Sequence, residues 1–316
     1  MPTTKFTNLD FDQIKTSIKD YLRANSDFSG FDFEGSNFSV LLDTLAYNTY
    51  ITAFNSNMIV NESFLDSATL RENVVSLARN IGYIPRSRTA AKAQVSFKLN
   101  LGTTEPSSNT VELTKGIVCV GSVNDSSFIF SISNNIAKQV EQEGNDYVAN
   151  FDNLTINQGT YLTKQFKFDN SLDQKFILDN SFIDTSTIHV YVKKENESGL
   201  GYEYYISDDI TDIDSTSRVF FLQEVQDEKY EIRFGDGILG KKLGSGTEQD
   251  GTIITVDYIV SDGVDGNGAS SFSFSGNVIN TVTESSITLA SSPVVTTITK
   301  SEGGSNIEPI DSIKYY

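Results

Sequence analysis

Three glycines in the second half of the chain have the spacing of a nucleotide-binding loop. Gly235, Gly237 and Gly240 satisfy the G-x-G-x-x-G fingerprint, and residues 230–234 before them alternate as a strand does. In such a loop the amides at the N-terminus of a helix bind the phosphates. Here the next residues are Lys-Lys-Leu-Gly-Ser-Gly, and two glycines so close together disfavour a helix. The pattern therefore predicts a turn between two strands and no nucleotide site.

Other residue types that could do chemistry are sparse. His189, the only histidine, lies in a strand-like run, and the sequence places no nucleophile or carboxylate beside it. Cys119, the only cysteine, is expected to be a buried strand residue. Asp262, Asp265 and Asn267 offer oxygen atoms to calcium, but their register is not that of an EF-hand, so a glycine-rich connection between strands is the preferred interpretation. We predict no enzyme, no catalytic residue, no cofactor and no bound metal.

The charge balance points in the same direction. The 316 residues carry a formal net charge of −18. Residues 1–90 contain 8 Lys+Arg against 10 Asp+Glu, and residues 91–316 contain 16 against 32. Nucleic acids and anionic membranes require a basic surface, so neither is an expected partner. The sequence shows neither a signal peptide nor an apolar run of membrane-spanning length.

The first 85 residues have the apolar spacing of helices. The pattern predicts one helix over 11–22, a second that opens at Ser36 or Asn37 and runs towards Met58, and a third between Ser67 and Gly82. The third helix is expected to bury Leu70, Val74, Leu77, Ala78 and Ile81. The second is apolar on more than one face and must pack against more than one neighbour.

We therefore predict a helical bundle that is completed by partner chains, with a self-contained helical domain as the alternative. The residues expected at the partner interface lie on the first two helices. They are Phe11, Ile14, Ile18, Tyr21, Leu22, Phe38, Leu41, Leu42 and Leu45.

From Ala90 onwards the apolar residues alternate with polar ones, which is typical of half-buried strands. Strands without intervening helices predict mainly antiparallel sandwiches or barrels. The expected class is a multidomain α+β protein. Its predicted regions are a helical bundle-forming region (1–88), a first β region (89–230), a module around the Phe-Gly-Asp-Gly turn (231–270), and a Ser/Thr-rich strand or linker segment (271–316) leading to a missing C-terminal part.

Three blocks of sequence resemble a known family. The first comprises 11–22, 37–50 and 61–84 before the basic turn 85–88; the second comprises 230–240, 252–258 and 262–269; the third is Ser301-Glu302-Gly303-Gly304 leading to 310–316. They are similar to the Baseplate J-like family of contractile phage tails and, within it, to the large baseplate wedge subunits of T-even-type phages (myoviruses). The resemblance covers nearly the whole chain but only the N-terminal half to two-thirds of those subunits, so the chain is expected to be a fragment or a shortened or split form.

The resemblance implies a structural protein of the virion tail baseplate that is assembled in the host cytoplasm. It implies that two copies join one different, elongated wedge subunit through a shared helical bundle. Other wedge proteins and hub-proximal proteins would contact this assembly, and the ring would help to transmit the trigger for sheath contraction. No nucleic acid, membrane or small-molecule substrate is implied.

The family turn motif consists of Phe234, Gly235, Asp236, Gly237 and Gly240. We expect a conformational role, with positive φ permitted at Gly235 and Gly237 and with Asp236 bonded to the backbone of its own turn. The alternative function is a tail receptor-binding or carbohydrate-binding β-protein, for which the tyrosines of 202–205 would offer a stacking surface.

Overall fold

A computed structural model describes residues 10–24, 33, 35, 37–169, 174–207, 212–244 and 252–315. The chain forms two compact units, and it passes from one to the other twice. The helical unit ends at Pro85 and resumes at Pro309, and the β unit is Arg86–Glu308. Ser36, one of the two predicted starts of the second helix, and Tyr316 lie outside the described residues.

The helical unit contains α1 (Phe11–Arg23), α2 (Phe38–Glu62), α3 (Arg71–Asn80) and α4 (Ile310–Tyr315). The prediction of helices in the first 85 residues is confirmed. Asp10 caps α1, because its carboxylate accepts the amide of Gln13 at 3.1 Å. The small core of this unit lies around α3 and takes one residue from α4. Its buried members are Ala68, Val74, Val75, Ala78 and Ile313.

The prediction for α3 was wrong in two respects. The helix begins at Arg71 rather than near Ser67, and Leu70 and Ile81 are exposed rather than buried. Leu70 is the N-cap and Ile81 the C-cap, so both lie outside the helical turns whose spacing places Val74 and Ala78 in the core.

Glu62, the last residue of α2, provides the side-chain cap of α3. Its carboxylate accepts the amide of Thr69 at 2.8 Å, the amide of Leu70 at 3.2 Å and Nδ2 of Asn73 at 2.8 Å. Burial by itself would raise the pKa of Glu62, but the hydrogen bonds from Asn73, Thr69 and Leu70 outweigh it and lower the pKa to about 2. The cap therefore fixes the turn between the two helices.

The β unit contains seventeen strands within the described residues. The first seven are β1 (Lys92–Gly102), β2 (Thr110–Leu113), β3 (Gly116–Val123), β4 (Ser126–Ile132), β5 (Ile136–Gln139), β6 (Glu141–Glu143) and β7 (Asp146–Gln158). The next seven are β8 (Thr160–Lys167), β9 (Phe176–Leu178), β10 (Ile183–Lys193), β11 (Tyr202–Ile206), β12 (Val219–Val225), β13 (Lys229–Phe234) and β14 (Ile253–Val260). The last three are β15 (Phe272–Phe274), β16 (Val278–Asn280) and β17 (Val295–Glu302).

These strands form three sheets, and the second is an insertion into the first. Sheet A has the order β15-β3-β4-β7-β1-β17, with β6 added on β7; sheet B has the order β8-β14-β10-β11-β12-β13-β9; and sheet C is β16-β2-β5. Sheet B consists of the consecutive strands β8 to β14. The strands of sheet A come before and after them in the chain, from β1 to β7 and from β15 to β17. The position 230/231, where the sequence suggested a boundary, lies inside β13, and the residues after 270 return to sheets A and C.

Both large sheets roll up so that their edges meet. In sheet B, Lys164 Nζ of β8 lies 2.5 Å from Asp179 Oδ2 just after β9, and the rings of Phe166 and Phe176 meet edge to face at 5.5 Å. In sheet A, Ser301 of β17 exchanges backbone hydrogen bonds with Gly268 and Ala269, at 2.7 and 2.9 Å. The barrel-like, mainly antiparallel class is confirmed, and β11 with β12 is a parallel exception.

Each rolled sheet has its own apolar core. The side chains of one face of β8, β10 and β14 fill sheet B together with Tyr204, Phe220 and Ile232. Sheet A is filled by Phe97, Phe130 and Phe151 among others. Cys119 is fully buried in that core, which confirms its predicted place on a strand, and burial raises the pKa of its thiol to about 12.

Candidate functional site

An apolar groove runs between α1 and α2 in the helical unit. Its cavity volume is about 420 Å³, and its lining is Ser17, Ile18, Tyr21, Leu22, Phe38, Leu41, Leu42 and Leu45. We call it the helical groove. The groove brings together seven of the nine residues that the sequence analysis assigned to a partner interface. Phe11 and Ile14 lie on α1 outside the lining and are half-buried.

The groove residues differ sharply in exposure. Leu42 is 2% exposed and belongs to the contact between α1 and α2, whereas Tyr21, Leu41 and Leu45 are 81%, 58% and 49% exposed. An ion pair between Lys15 and Asp43 also joins the two helices. Large apolar side chains grouped on a surface mark an interaction site. The chain therefore presents a groove with a packed floor and uncovered walls.

A second apolar strip lies on α2 outside the groove. Val40, Tyr47, Phe54 and Met58 are all exposed, and Ile51 between them is partly exposed. Successive members of the strip are seven, four, three and four residues apart. This is the spacing of the contact line between two packed helices. The sequence predicts that α2 is apolar on more than one face, but these residues are not among those predicted at the partner interface. The described helices include none that is long and apolar enough to cross a membrane.

The second candidate is the FGDG turn, residues 234–240, which follows β13. Asp236 Oδ1 accepts the amides of Ile238 and Leu239 at 2.8 and 2.9 Å, which confirms that this aspartate bonds its own turn. These hydrogen bonds, with that of Ile238 the largest cause, lower the pKa of Asp236. The amide of Gly237 donates to the carbonyl of Gly240 at 3.0 Å and closes the turn. Residues 241–244, which follow the turn directly, are not helical, and the amides of Gly237, Ile238 and Leu239 are all used inside the turn.

The prediction of positive φ at Gly235 was wrong. Positive φ occurs at Gly237 (96°) and Gly240 (82°). Gly235 is required for a different reason: a Cβ atom there would lie 2.2 Å from the carbonyl carbon of Gly240. The first glycine of the motif thus allows two backbone segments to touch, and Phe234 beside it packs against Phe176 and Tyr204 at 5.6 and 5.5 Å.

A neighbouring loop holds the FGDG turn against sheet B. The carbonyl of Asp214 accepts the amide of Gly240 at 3.0 Å, and the carbonyl of Ser217 accepts the amide of Lys241 at 2.8 Å. The Asp214 carboxylate accepts the hydroxyls of Ser217 and Thr216 and the amide of Thr216, and these bonds lower its pKa to about 2. The packing of Phe234 therefore holds the start of the turn, and the neighbouring loop holds its end. Ile238, which is 77% exposed, lies at the tip.

The last part of the second family block meets the start of the third in the β unit. The stretch 262–269 connects β14 to β15 through a 3-10 turn, Gly263–Gly266, as the sequence indicates. Asn267 exchanges two hydrogen bonds with the backbone of Gly304, at 2.9 and 2.8 Å, and Asp262 accepts Nε2 of Gln158 at 2.7 Å. Ser301 Oγ donates to the carbonyl of Gly266 at 2.6 Å. Of the three residues considered as calcium ligands, Asp262 and Asn267 thus use their side-chain oxygens in hydrogen bonds within the β unit.

The remaining candidates are part of sheet B or its surface. His189 Nδ1 lies 3.2 Å from Glu203 Oε1, and Tyr204 is buried in the core. Tyr202 lies under the guanidinium of Arg218 at 3.9 Å. Among the residues that the structure describes, no three His, Cys, Asp or Glu side chains are grouped as metal ligands would be.

Comparison with known proteins finds a baseplate wedge family that matches a segment of each unit. Residues 10–83 match the family described as "Baseplate wedge protein gp6-like, helical domain". Residues 161–260 match the family described as "Bacteriophage baseplate wedge protein gp6, third domain". The chain is 29% identical over 285 residues to the baseplate wedge protein gp6 of Enterobacteria phage T4, which covers 85% of this chain and 41% of that protein. The chain therefore spans less than half the length of this relative.

The matched segments coincide with structural units. The first contains α1, α2 and α3, and therefore the helical groove. The second runs from β8 to β14 and therefore covers sheet B with the FGDG turn. Over most of its length the chain is thus related to a structural protein of the phage tail baseplate.

Proposed function

We propose that this chain is a structural component of a baseplate wedge in a contractile phage tail. The observation that carries the proposal is the helical groove, because its walls leave Tyr21, Leu41 and Leu45 exposed in a segment that matches a baseplate wedge helical domain. Burial of a leucine side chain contributes about 1.5–3 kcal/mol, so an uncovered groove of this kind is costly unless another helix fills it.

In this proposal, two copies of the chain associate with one different, elongated wedge subunit. The helical groove takes one helix, and the second strip on α2, with Val40, Tyr47 and Phe54, packs against another. Large apolar contacts of this type are typical of obligate assemblies. Membership of the Baseplate J-like family, contacts with hub-proximal proteins and assembly in the host cytoplasm belong to the same proposal.

The β unit would then act as a rigid arm that passes movement between neighbours. The support for this role is its fixed geometry: the FGDG turn is held on both sides, and Asn267 and Ser301 tie the β14–β15 connection to the end of β17. A wedge built in this way would transmit the trigger for sheath contraction as a rigid-body displacement. An enzymatic role has no support in either candidate site.

The experiment is a pair of charge substitutions in the groove. Leu41→Asp with Leu45→Asp places two carboxylates on its exposed wall, and we expect binding to the elongated wedge subunit of the same phage to weaken about 100-fold or more. Both residues are already half-exposed, so the free chain should remain folded.

The matched control is Val282→Asp, which likewise replaces an exposed apolar side chain by a carboxylate but in the β unit. Co-purification of the two proteins should survive this control and be lost in the groove variant, while the circular dichroism of both variants keeps its β signal. Retention of the partner by the folded groove variant would exclude the helical groove as the interface.

A further inference from the structure

Arg88, in the segment before β1, has its aliphatic stem packed against a glycine of the β unit. A Cβ atom at Gly263 would lie 3.3 Å from Arg88 Cγ, 2.7 Å from Asn306 Oδ1 and 3.0 Å from the carbonyl oxygen of Ser305. Gly263 also has a φ of +66°, which disfavours any other residue at this position. The glycine therefore leaves the space that the stem of Arg88 occupies.

The guanidinium of Arg88 stacks on an aromatic ring. Its central carbon lies 4.2 Å from the ring centroid of Phe182. Nε of Arg88 is enclosed by protein and has no acceptor among the described residues. The two Nη groups are not enclosed in this way, and they too lack an acceptor in the part of the chain that the structure describes. Packing thus fixes the guanidinium, while the end that carries four of its five N–H donors stays open.

Phe182 holds this position in an unfavourable backbone conformation. Its φ is +66°, which is rare for a bulky side chain. The carbonyl of Phe182 accepts the amide of Ser261 at 3.0 Å, and Ser181 Oγ donates to the carbonyl of Asp227 at 2.8 Å, so the surrounding structure maintains the strain. The ring is nevertheless 48% exposed. Burial in a core therefore does not account for the strain, and its visible result is the ring beneath Arg88.

Arg88 lacks the counter-charge that other cations of the β unit have. Lys98, Lys164 and Lys167 form ion pairs with carboxylates at 2.8, 2.5 and 2.6 Å. Arg88 forms none with the described residues, although residues 91–316 contain 32 Asp+Glu against 16 Lys+Arg. A guanidinium that is fixed in place, with open donors and no anion, is prepared to receive one.

The geometry favours a single carboxylate over a polyanion. A carboxylate can accept two parallel hydrogen bonds from the Nη groups in the plane of the guanidinium, and the stacking on Phe182 holds that plane. A nucleic acid or another polyanion would be repelled by the surplus of carboxylates in the β unit. The exposed part of the Phe182 ring offers an apolar contact beside the charge. An acidic side chain next to an apolar residue matches both features.

We propose that Arg88 and Phe182 bind an aspartate or glutamate of a partner protein, with a neighbouring apolar residue of that partner on the ring of Phe182. The contact lies in the β unit, and it does not depend on the role assigned to the helical groove. Gly263 and the strained backbone of Phe182 position the two side chains for this contact.

The test uses the peptide trifluoroacetyl-Leu-Glu-Leu-amide, whose binding to the intact chain is followed by ¹⁹F NMR titration. The matched peptide has glutamine in place of glutamate. Because a single ion pair at a surface contributes little, we expect the acidic peptide to bind saturably with a Kd on the order of 1 mM. The matched peptide should bind about tenfold more weakly. Equal binding of the two peptides, or no saturable binding of the acidic peptide in this range, would overturn the proposal.

Arg88→Gln removes the guanidinium and should weaken binding of the acidic peptide about tenfold. Arg88→Lys keeps the charge without the planar fork, and its effect should be smaller. The matched control is Arg86→Gln, which removes the same charge from an exposed arginine two residues away and should leave the affinity unchanged. Wild-type affinity in Arg88→Gln, or an equal loss of affinity in Arg86→Gln, would contradict the assignment.

Phe182→Asn separates this role from a structural one. Asparagine adopts positive φ more readily than phenylalanine, so the melting temperature of the variant should equal or exceed that of the wild type. Its affinity for the acidic peptide should nevertheless fall, because no ring then stacks beneath the guanidinium. A lower melting temperature with unchanged affinity would mean that Phe182 serves the fold and not the ligand, and the proposal would fail.

Discussion

Single residues decide the geometry of the FGDG turn. Gly235 has no room for a side chain, because a Cβ atom would lie 2.2–2.6 Å from three backbone atoms of Gly240. The sequence placed Gly235 correctly in a turn but assigned it the wrong reason, since the spacing of glycines shows where the chain bends and not which segments touch. The hydrogen bonding of Asp236 was predictable from the sequence, because an aspartate in a turn accepts the amides that follow it.

Gly235→Ala should therefore destabilise the β unit by about 1–3 kcal/mol, the range of overpacking a well-packed site. The measurement is urea unfolding followed by circular dichroism. Gly144→Ala is the control: a Cβ atom there meets nothing within 4 Å, so this variant carries only the backbone strain of its φ of +65° and should cost less. An unchanged urea midpoint for Gly235→Ala would mean that the close approach to Gly240 is dispensable.

Lys115 and Asp257 form the ion pair that joins sheet B to the segment before β3. Lys115 Nζ lies 2.6 Å from Asp257 Oδ2, Thr163 donates to the other carboxylate oxygen at 2.6 Å, and the carboxylate is only 1% exposed. Removal of the lysine leaves a buried charge without its partner. Lys115→Met should lower the free energy of unfolding by about 2 kcal/mol.

The double variant Lys115→Met with Asp257→Asn is the matched comparison, since it removes both charges. It should recover at least half of the stability lost in the single variant. If the double variant is less stable than Lys115→Met, the loss does not arise from an unpaired buried carboxylate.

At the scale of secondary-structure elements, the sequence predicted whether a segment is helix or strand better than it predicted the residues at which the element begins and ends. Helical periodicity identified α1, α2 and α3, but the start of α3 depends on Glu62, whose contacts lie seven to eleven residues further on. β7 does not follow the simple alternation expected of a strand, although it is thirteen residues long. Its buried positions change from Ala149 and Phe151 to Leu154 and Ile156, because the irregular register near Asn153 shifts the alternation by one residue.

Glu62 gives an element-scale prediction with a defined pH dependence. Its pKa falls from an ordinary value of 4.5 to about 2 on folding, so its contribution is fully present above 4.5 and is lost as the pH falls towards 2. After allowance for solvent screening, that contribution is about 1 kcal/mol. The difference in free energy of unfolding between wild type and Glu62→Gln should be largest above 4.5 and vanish near 2.

Thermal unfolding at several pH values measures this difference, with Glu72→Gln as the control on the exposed first turn of α3. A difference for Glu62→Gln that stays constant through the acid range would contradict the capping role. A pH-dependent loss of stability in Glu72→Gln as large as that in Glu62→Gln would also contradict it.

At the scale of the whole molecule, the sequence indicated a helical part followed by β modules but not the insertion of sheet B into sheet A. Alternation marks a strand and carries no information about its neighbour, so the return of β17 to β1 was not predictable. Residues 301–304 are among those that resemble the family, but their structural role could not be predicted from the sequence. Those residues meet the connection 262–269 and secure the point where the chain leaves the β unit.

Through the helical groove, this chain is proposed to be a wedge component that needs a different partner protein. The most direct measurement is the absolute mass by light scattering, for the chain alone and after co-expression with the elongated wedge subunit of the same phage. We expect a stable complex with two copies of this chain per partner. A chain that does not bind the partner, and that forms a compact trimer by itself, would contradict the account and favour a tail receptor-binding protein.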